Sequence, residues 1–195
     1  KAILITGVTG FVGIHILHKL LSTTTAQLYC LVRGSSQLHC GHRIKAAFKY
    51  YELKIKEKDL KRIIVLQGDL EKKRLGINFK KYQHLESIVD IIIHNGAVVN
   101  HLYLYNQLKK ANVDSTSELI NMAKTKQKKK LIFISTLGVV NDPGQYQLGE
   151  KADIKLFKFK ETEGYVASKW VSEAMIMRSN IDYQIHRLGR VGGSI

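Results

Sequence analysis

Short apolar runs alternate with longer amphipathic stretches along this chain. Residues 1–6, 27–32, 63–67, 89–94, 130–135 and 183–187 read as strands, rich in Ile, Leu and Val. Between them, helices are predicted near 11–21, 41–53, 79–87, 104–125 and 161–178. The longest is the clearest, because Leu104, Leu108, Ala111, Ser115, Leu119 and Met122 step along one face at helical spacing. On the last helix, Val166, Trp170, Ala174 and Met177 form a face expected to pack on the sheet. Residues 137–160 show no strong periodicity, and Asp142-Pro143-Gly144 marks a turn within them.

Several strands are continuous apolar runs, as expected when helices cover both faces of a parallel sheet. Alternating strands and helices with right-handed crossovers give an α/β fold, a doubly wound Rossmann-type parallel sheet. One domain is expected to span residues 1–195, with no internal repeat or low-complexity linker. In such folds the ligand crevice lies at the carboxyl ends of the strands, where the winding reverses. The chemically suggestive motifs of this chain all fall there or in the element just after.

Composition narrows the class. The chain has 195 residues, 45% of them apolar, which suits a globular domain. No apolar run is long enough to span a bilayer, and the chain begins directly in a strand, so neither a membrane segment nor a signal peptide is expected. Cys30 and Cys40 make neither a disulfide framework nor a zinc site, so no metal is expected and a reducing, cytoplasmic setting fits best. The net charge is +15, with basic runs at 54–58, 72–74 and 126–130. Taken singly, each run reads as solvated surface, but together they favour an anionic partner. Without aromatic interleaving or a nucleic-acid module, that partner is not expected to be nucleic acid.

The first turn is the strongest chemical signal. Strand one ends in Gly7-Val8-Thr9-Gly10-Phe11-Val12-Gly13 and a helix follows. That order builds an anion site for a dinucleotide pyrophosphate at a helix N-terminus. NAD-binding folds usually carry an acid after strand two, but this chain has Arg33 there. Arg33, with Arg43 early in the next helix, would pair with a 2′-phosphate, so NADPH is the expected cofactor. Asp69 ends strand three, where a carboxylate accepts from the adenine amino group. Asn95, Gly96 and Ala97 end strand four, where small residues let the backbone pass the cofactor closely.

Tyr165 and Lys169 lie four apart on one helix face. A lysine cation beside a phenol favours the phenolate and lowers its pKa from the ordinary value of about 10. Thr136, just past strand five, is placed to polarise a substrate carbonyl, with Ser135 as the fallback. Together these residues read as hydride delivery to a carbonyl carbon, with Tyr165 as general acid.

These motifs, with Cys30-Leu31-Val32-Arg33, His94-Asn95-Gly96-Ala97, Ala111-Asn112-Val113 and Ser168-Lys169-Trp170, run in family order through the chain. The sequence resembles the extended branch of the short-chain dehydrogenase/reductase superfamily. More narrowly, it is similar to the thioester reductase domains of carboxylic acid reductases, aminoadipate reductases, and nonribosomal peptide and polyketide synthases. The resemblance implies NADPH-dependent reduction of a carrier-bound acyl thioester to an aldehyde or alcohol. It implies Thr136, Tyr165 and Lys169 as the catalytic triad. It also implies Gly7, Thr9, Gly10, Phe11, Val12, Gly13, Leu70 and Leu188 along the cofactor, beside the residues already named.

The implied partner is an acyl- or peptidyl-carrier protein bearing a phosphopantetheine thioester, which a basic surface suits. Leu188 stands where the family has proline, so a looser backbone is expected beside the nicotinamide. Ser115 stands where the family has glycine, a change expected to be tolerated. The family's C-terminal substrate lobe falls outside these 195 residues, so the chain is expected to be the N-terminal portion of a longer reductase and weakly active alone. A fatty acyl-CoA reductase and a nucleotide-binding fragment without turnover are the alternatives. A sugar-nucleotide epimerase or dehydratase is disfavoured by the missing acid after strand two.

Overall fold

Every residue of β1 (Ala2–Thr6) is buried, which follows from helices covering both of its faces. The computed structural model describes residues 1–140, 154 and 163–192. β1 pairs in parallel with β2 (Gln27–Val32) on one side and β4 (Ile91–His94) on the other. Ile5 thus lies between Cys30 and Ile93. β3 (Ile63–Gln67), β5 (Lys130–Thr136) and β6 (Asp182–Leu188) complete a six-stranded sheet in the order β3-β2-β1-β4-β5-β6. The order reverses between β1 and β4, as in a Rossmann-type fold, and the site lies above that junction.

The alternation of side chains along β1 sorts the core into two halves. Ile3 and Ile5 meet α1 (Phe11–Thr23) and α2 (Gln37–Tyr50) through Ile14, Leu17, Ile44 and Phe48. Leu4 faces the opposite half, where Leu85 of α4 (Phe79–Ile88) and Ile176 of α7 (Gly164–Met177) pack with Phe133. Burying each such side chain contributes roughly 1.5–3 kcal/mol. Cys30 lies in the first half as a free, fully buried thiol that burial pushes up to about 12.

Two predicted starts move and one unpredicted helix appears. The second helix starts at Gln37, four residues early, because the Ser36 hydroxyl accepts from the His39 N–H at 3.1 Å and caps it. Its polar first turn hides that start from an apolar-pattern reading. β4 begins at Ile91; Asp90 before it instead accepts from the Ala2 N–H at 2.8 Å. A short helix, α3 (Glu57–Leu60), starts at the end of the lysine-rich run, where the pattern predicts none. Just after it, Arg62 holds Asp59 at 2.9 Å and donates to the Thr24 carbonyl at 2.8 Å.

The long helix has three parts: α5 (Tyr105–Lys109), a π-helical turn over Lys110–Asp114, and α6 (Ser115–Lys124). Leu108, Ala111, Ser115, Leu119 and Met122 are buried as expected, whereas Leu104 precedes the helix and is exposed. The basic run after α6 is not all solvated. Lys129 is 1% exposed, and its Nζ donates to the Thr125 and Gln127 carbonyls at 2.7 and 2.9 Å.

The face expected to carry α7 onto the sheet is corrected. The buried stripe is Gly164, Ala167, Ser168, Lys169, Ser172, Glu173 and Ile176, while Met177 is exposed. Trp170 and Ala174 pack instead against Val139, Val140 and Ile154, and Trp170 Nε1 donates to the Ile154 carbonyl at 2.9 Å. Residues Leu137–Val140 form a 3-10 turn; the turn expected at Asp142-Pro143-Gly144 and the helix start at 161 lie outside the described residues. Among the described residues, no helix is long and apolar enough to cross a membrane, and no cluster of His, Cys, Asp and Glu could hold a metal.

Candidate active site

A cleft of about 1140 Å³ runs over the carboxyl ends of the strands. Its centre is the turn after β1. Gly7 has φ +73°, the left-handed region that glycine tolerates. A Cβ added at Gly13 would sit 2.0 Å from the Gly7 carbonyl oxygen, so this glycine lets α1 lie against the turn. Gly13 is not among the residues that line the cleft; it shapes the turn from behind. Gly10 is different. A Cβ there would meet only the Gly7 oxygen, at 3.6 Å, so a side chain would take up cleft space without colliding with protein. The first turn of α1 has neither a side-chain cap nor an acidic residue, which leaves its N–H groups for an anion.

The ends of β1 and β4 are locked together behind this turn. Thr6 Oγ1 accepts from the Gly96 N–H at 2.8 Å and stands 2.8 Å from His94 Nδ1. Ser115 Oγ lies 3.4 Å from His94 Nε2 and donates to the Ala111 carbonyl at 2.5 Å. The Ser115 hydroxyl proton is thus used on Ala111, so His94 donates through Nε2 and accepts from Thr6 at Nδ1. Burial and Lys169 push His94 down to about 3, so the ring is neutral. Asn95 Nδ2 donates to the Gly7 carbonyl at 3.1 Å, which fixes the turn from the β4 side. Asn112, in the π turn, clamps Val98 through both its N–H and its carbonyl, at 2.8 and 3.1 Å.

Thr9, Gly10, Phe11 and Val12 line the cleft at the turn, and Asn95, Gly96 and Ala97 line it at the end of β4. Arg33, Arg43, Asp69 and Leu70 line it on the β2–β3 side. Arg43 lies in the second turn of α2, not early in that helix, and its guanidinium donates to the Arg33 carbonyl. Arg33 itself is exposed. Asp69 Oδ1 accepts from the Glu71 N–H at 3.1 Å.

Thr136 of β5, Tyr165 and Lys169 of α7 and Leu188 of β6 line the cleft on its far side. Thr136 Oγ1 accepts from the Gly138 N–H at 3.2 Å. The Tyr165 ring stands edge-on to His101, with centroids 5.7 Å apart. Lys169 is 3% exposed; its Nζ donates to the Ile134 carbonyl at 2.7 Å and stands 4.3 Å from the centre of the Phe133 ring. Burial lowers Lys169 to about 7, against an opposing pull from Glu173. The expected depression of Tyr165 by Lys169 is not found. Burial raises the phenol, and the lysine is turned toward Ile134 and Phe133.

Ser135 also lines the cleft, and its buried Oγ has no hydrogen-bond partner among the described residues. An unsatisfied buried hydroxyl costs about 1–3 kcal/mol, which a ligand group entering the cleft would relieve. The orphaned hydroxyl, the space at Gly10 and the uncapped N-terminus of α1 all fit a dinucleotide. Sequence reasoning missed the ion pair beneath this end, the buried Glu173 and the partly buried Arg187, joined at 2.8 Å. The spacing of Tyr165, Lys169 and Glu173 at intervals of four was the available signal.

Comparison with known proteins gives a consistent set of relatives. A family model for NAD-binding domains, described as "Male sterility protein", matches residues 5–194. A linear gramicidin synthase chain of Brevibacillus parabrevis is 38% identical over 198 residues, covering 99% of this chain and 4% of that protein. The L-2-aminoadipate reductase large subunit of Candida glabrata is 34% identical over 190 residues, covering 89% of this chain and 14% of that protein. The crystal structure of the terminal R domain from the myxalamid PKS-NRPS biosynthetic pathway superposes with a TM-score of 0.90 at 34% identity. That match covers 99% of this chain and 50% of the solved domain, so the chain spans about half of that domain.

Proposed function

We propose, from the premise that the chain belongs to the male sterility protein family of NAD-binding domains, that it is the cofactor-holding half of an NADPH-dependent reductase of carrier-bound acyl thioesters. The observation that carries the reading is one cleft with Arg33 on its β2 side and Thr136, Tyr165 and Lys169 on its β5–β6 side. NADPH supplies a hydride when bound. The N–H groups at the start of α1 and the space at Gly10 would receive the pyrophosphate. Arg33 would take the 2′-phosphate, on a strand end that Arg43 fixes through the Arg33 carbonyl.

At the other side, the Thr136 hydroxyl donates to the thioester carbonyl oxygen and Tyr165 gives it a proton. A thioester carbonyl that received a hydride at carbon and this proton at oxygen would become a hemithioacetal. Its collapse releases the pantetheine thiol and an aldehyde, and a second hydride and proton would give the alcohol. Lys169 is placed to hold a ribose hydroxyl beside the phenol. Relatives that include a linear gramicidin synthase, and the net charge of +15, support an acidic carrier protein as the partner.

The full-length reductase given NADPH and an acyl-pantetheinyl carrier is expected to consume nicotinamide absorbance. Consumption with acyl-CoA but not with the carrier would replace the substrate class, and consumption with neither would sink the reading. Arg33→Ala is expected to weaken NADPH binding to the chain at least about tenfold and leave NADH binding within about twofold, read by titration calorimetry. Equal losses for both cofactors would remove Arg33 from the 2′-phosphate. Ser135→Ala is expected to leave the melting temperature of the ligand-free chain unchanged or raised, and to shrink the upward shift that NADPH produces. An undiminished shift would mean that no ligand group meets that hydroxyl.

A further inference from the structure

We propose that Glu173 is a positioning residue that holds Lys169 as a cation beside Tyr165, with Arg187 fixing the carboxylate and tempering its charge. The proposal rests on the reading of Tyr165 and Lys169 as the reacting end of the cleft. Tyr165, Lys169 and Glu173 follow one another at single-turn intervals on α7, on one stripe of the helix. Glu173 is fully buried. Its two oxygens accept from Arg187 Nε at 3.3 and 3.1 Å, and Oε2 also accepts from Nη2 at 2.8 Å. Arg187 comes from β6, level with Ser135 of β5, so the pair lies under the floor of the cleft.

A buried ammonium needs an anion nearby or it loses its proton. Among the described residues, the groups around Lys169 leave one source for that anion. From α7 come Tyr165, whose phenol burial keeps protonated, and Glu173. From β4 comes His94, which burial and Lys169 itself keep neutral. From β5 come the Ile134 carbonyl and the Phe133 ring, both polar or polarisable but uncharged. From β6, Arg187 reaches this group through Glu173, its ion-pair partner at 2.8 Å. Glu173 therefore serves two cations. Removing it takes from Lys169 its one neighbouring carboxylate, and removing Arg187 leaves that carboxylate to Lys169.

The two removals should therefore act in opposite directions. The 195-residue chain, labelled with ¹³C at lysine Cε, gives the Lys169 titration by NMR without cofactor or substrate; Lys169→Gln assigns the resonance. The wild-type midpoint is expected near 7. Glu173→Gln should lower it by about one unit or more, a tenfold change in proton affinity, and Arg187→Gln should raise it. Shifts in the same direction, or none, overturn the proposal, because loss of a purely structural ion pair has no reason to give opposite signs. If Glu173→Gln does not fold, the direction in Arg187→Gln decides alone. Failure of the reductase reading leaves this measurement intact, because it reads the lysine in the ligand-free chain.

Discussion

Tyr165→Phe is expected to lower thioester reduction by the full-length reductase by roughly 10²–10⁴-fold, the usual worth of a positioned proton donor. Phenylalanine keeps the ring that meets His101 edge-on and keeps the helix, so the loss would report the hydroxyl alone. NADPH affinity should stay within about threefold, a small change beside a tenfold step of 1.4 kcal/mol. The raised pKa also gives the expected pH dependence a sign. A phenol held above its ordinary value remains protonated through neutral pH, so the reductive direction keeps its acid there. As far as this group is concerned, the rate should fall as pH rises through the phenol's own value. Steady-state rates and cofactor titration of the pair of proteins check this, and a variant with near wild-type turnover would take Tyr165 out of the proton's path.

Gly13→Ala should have the largest effect on stability. The added Cβ would lie 2.0 Å from the Gly7 carbonyl oxygen and 2.7 Å from Asn95 Nδ2. The oxygen is backbone and already accepts from Asn95 Nδ2 and from the Gly10 N–H, so it cannot yield without breaking the turn. A loss of roughly 3 kcal/mol is expected, at the upper end of overpacking costs. In a chain of this size that lowers the melting temperature by about 6–12 °C. Gly10→Ala, in the same turn, should melt near wild type and bind NADPH poorly, since its Cβ finds space in the protein but not beside a ligand. Equal melting temperatures for Gly13→Ala and wild type would refute the packing described for α1.

The contrast between those glycines shows how far the sequence could be read. Their spacing announced a dinucleotide turn, and the apolar runs announced the six parallel strands that carry it. Spacing alone could not tell which glycine faces the ligand and which faces the protein, because that depends on where the Gly7 oxygen points. Periodicity on α7 had the same limit. It showed that Trp170 and Ala174 share a side, but their partners, Val139, Val140 and Ile154, come from a stretch with no pattern of its own. Electrostatics was the least legible part. A lysine four residues from a tyrosine looked like an acidifying neighbour, but desolvation governs both groups once they are buried. The spacing of Glu173 after Lys169 could have drawn notice, but its partner was not legible, because Arg187 arrives fourteen positions later, on a strand.

The lock formed by Thr6, His94 and Ser115 has a directional consequence. Each hydrogen in it points one way, from Thr6 through the imidazole and Ser115 to the Ala111 carbonyl. An imidazole that protonates only near pH 3 cannot reverse that order in any ordinary medium. The Thr6 oxygen is therefore a permanent acceptor toward Gly96, and the backbone at the switch point keeps one polarity. The seam between β1 and β4 works as a non-titrating pin, so pH can act on the end of the cleft at Lys169 while the turn after β1 stays where it is.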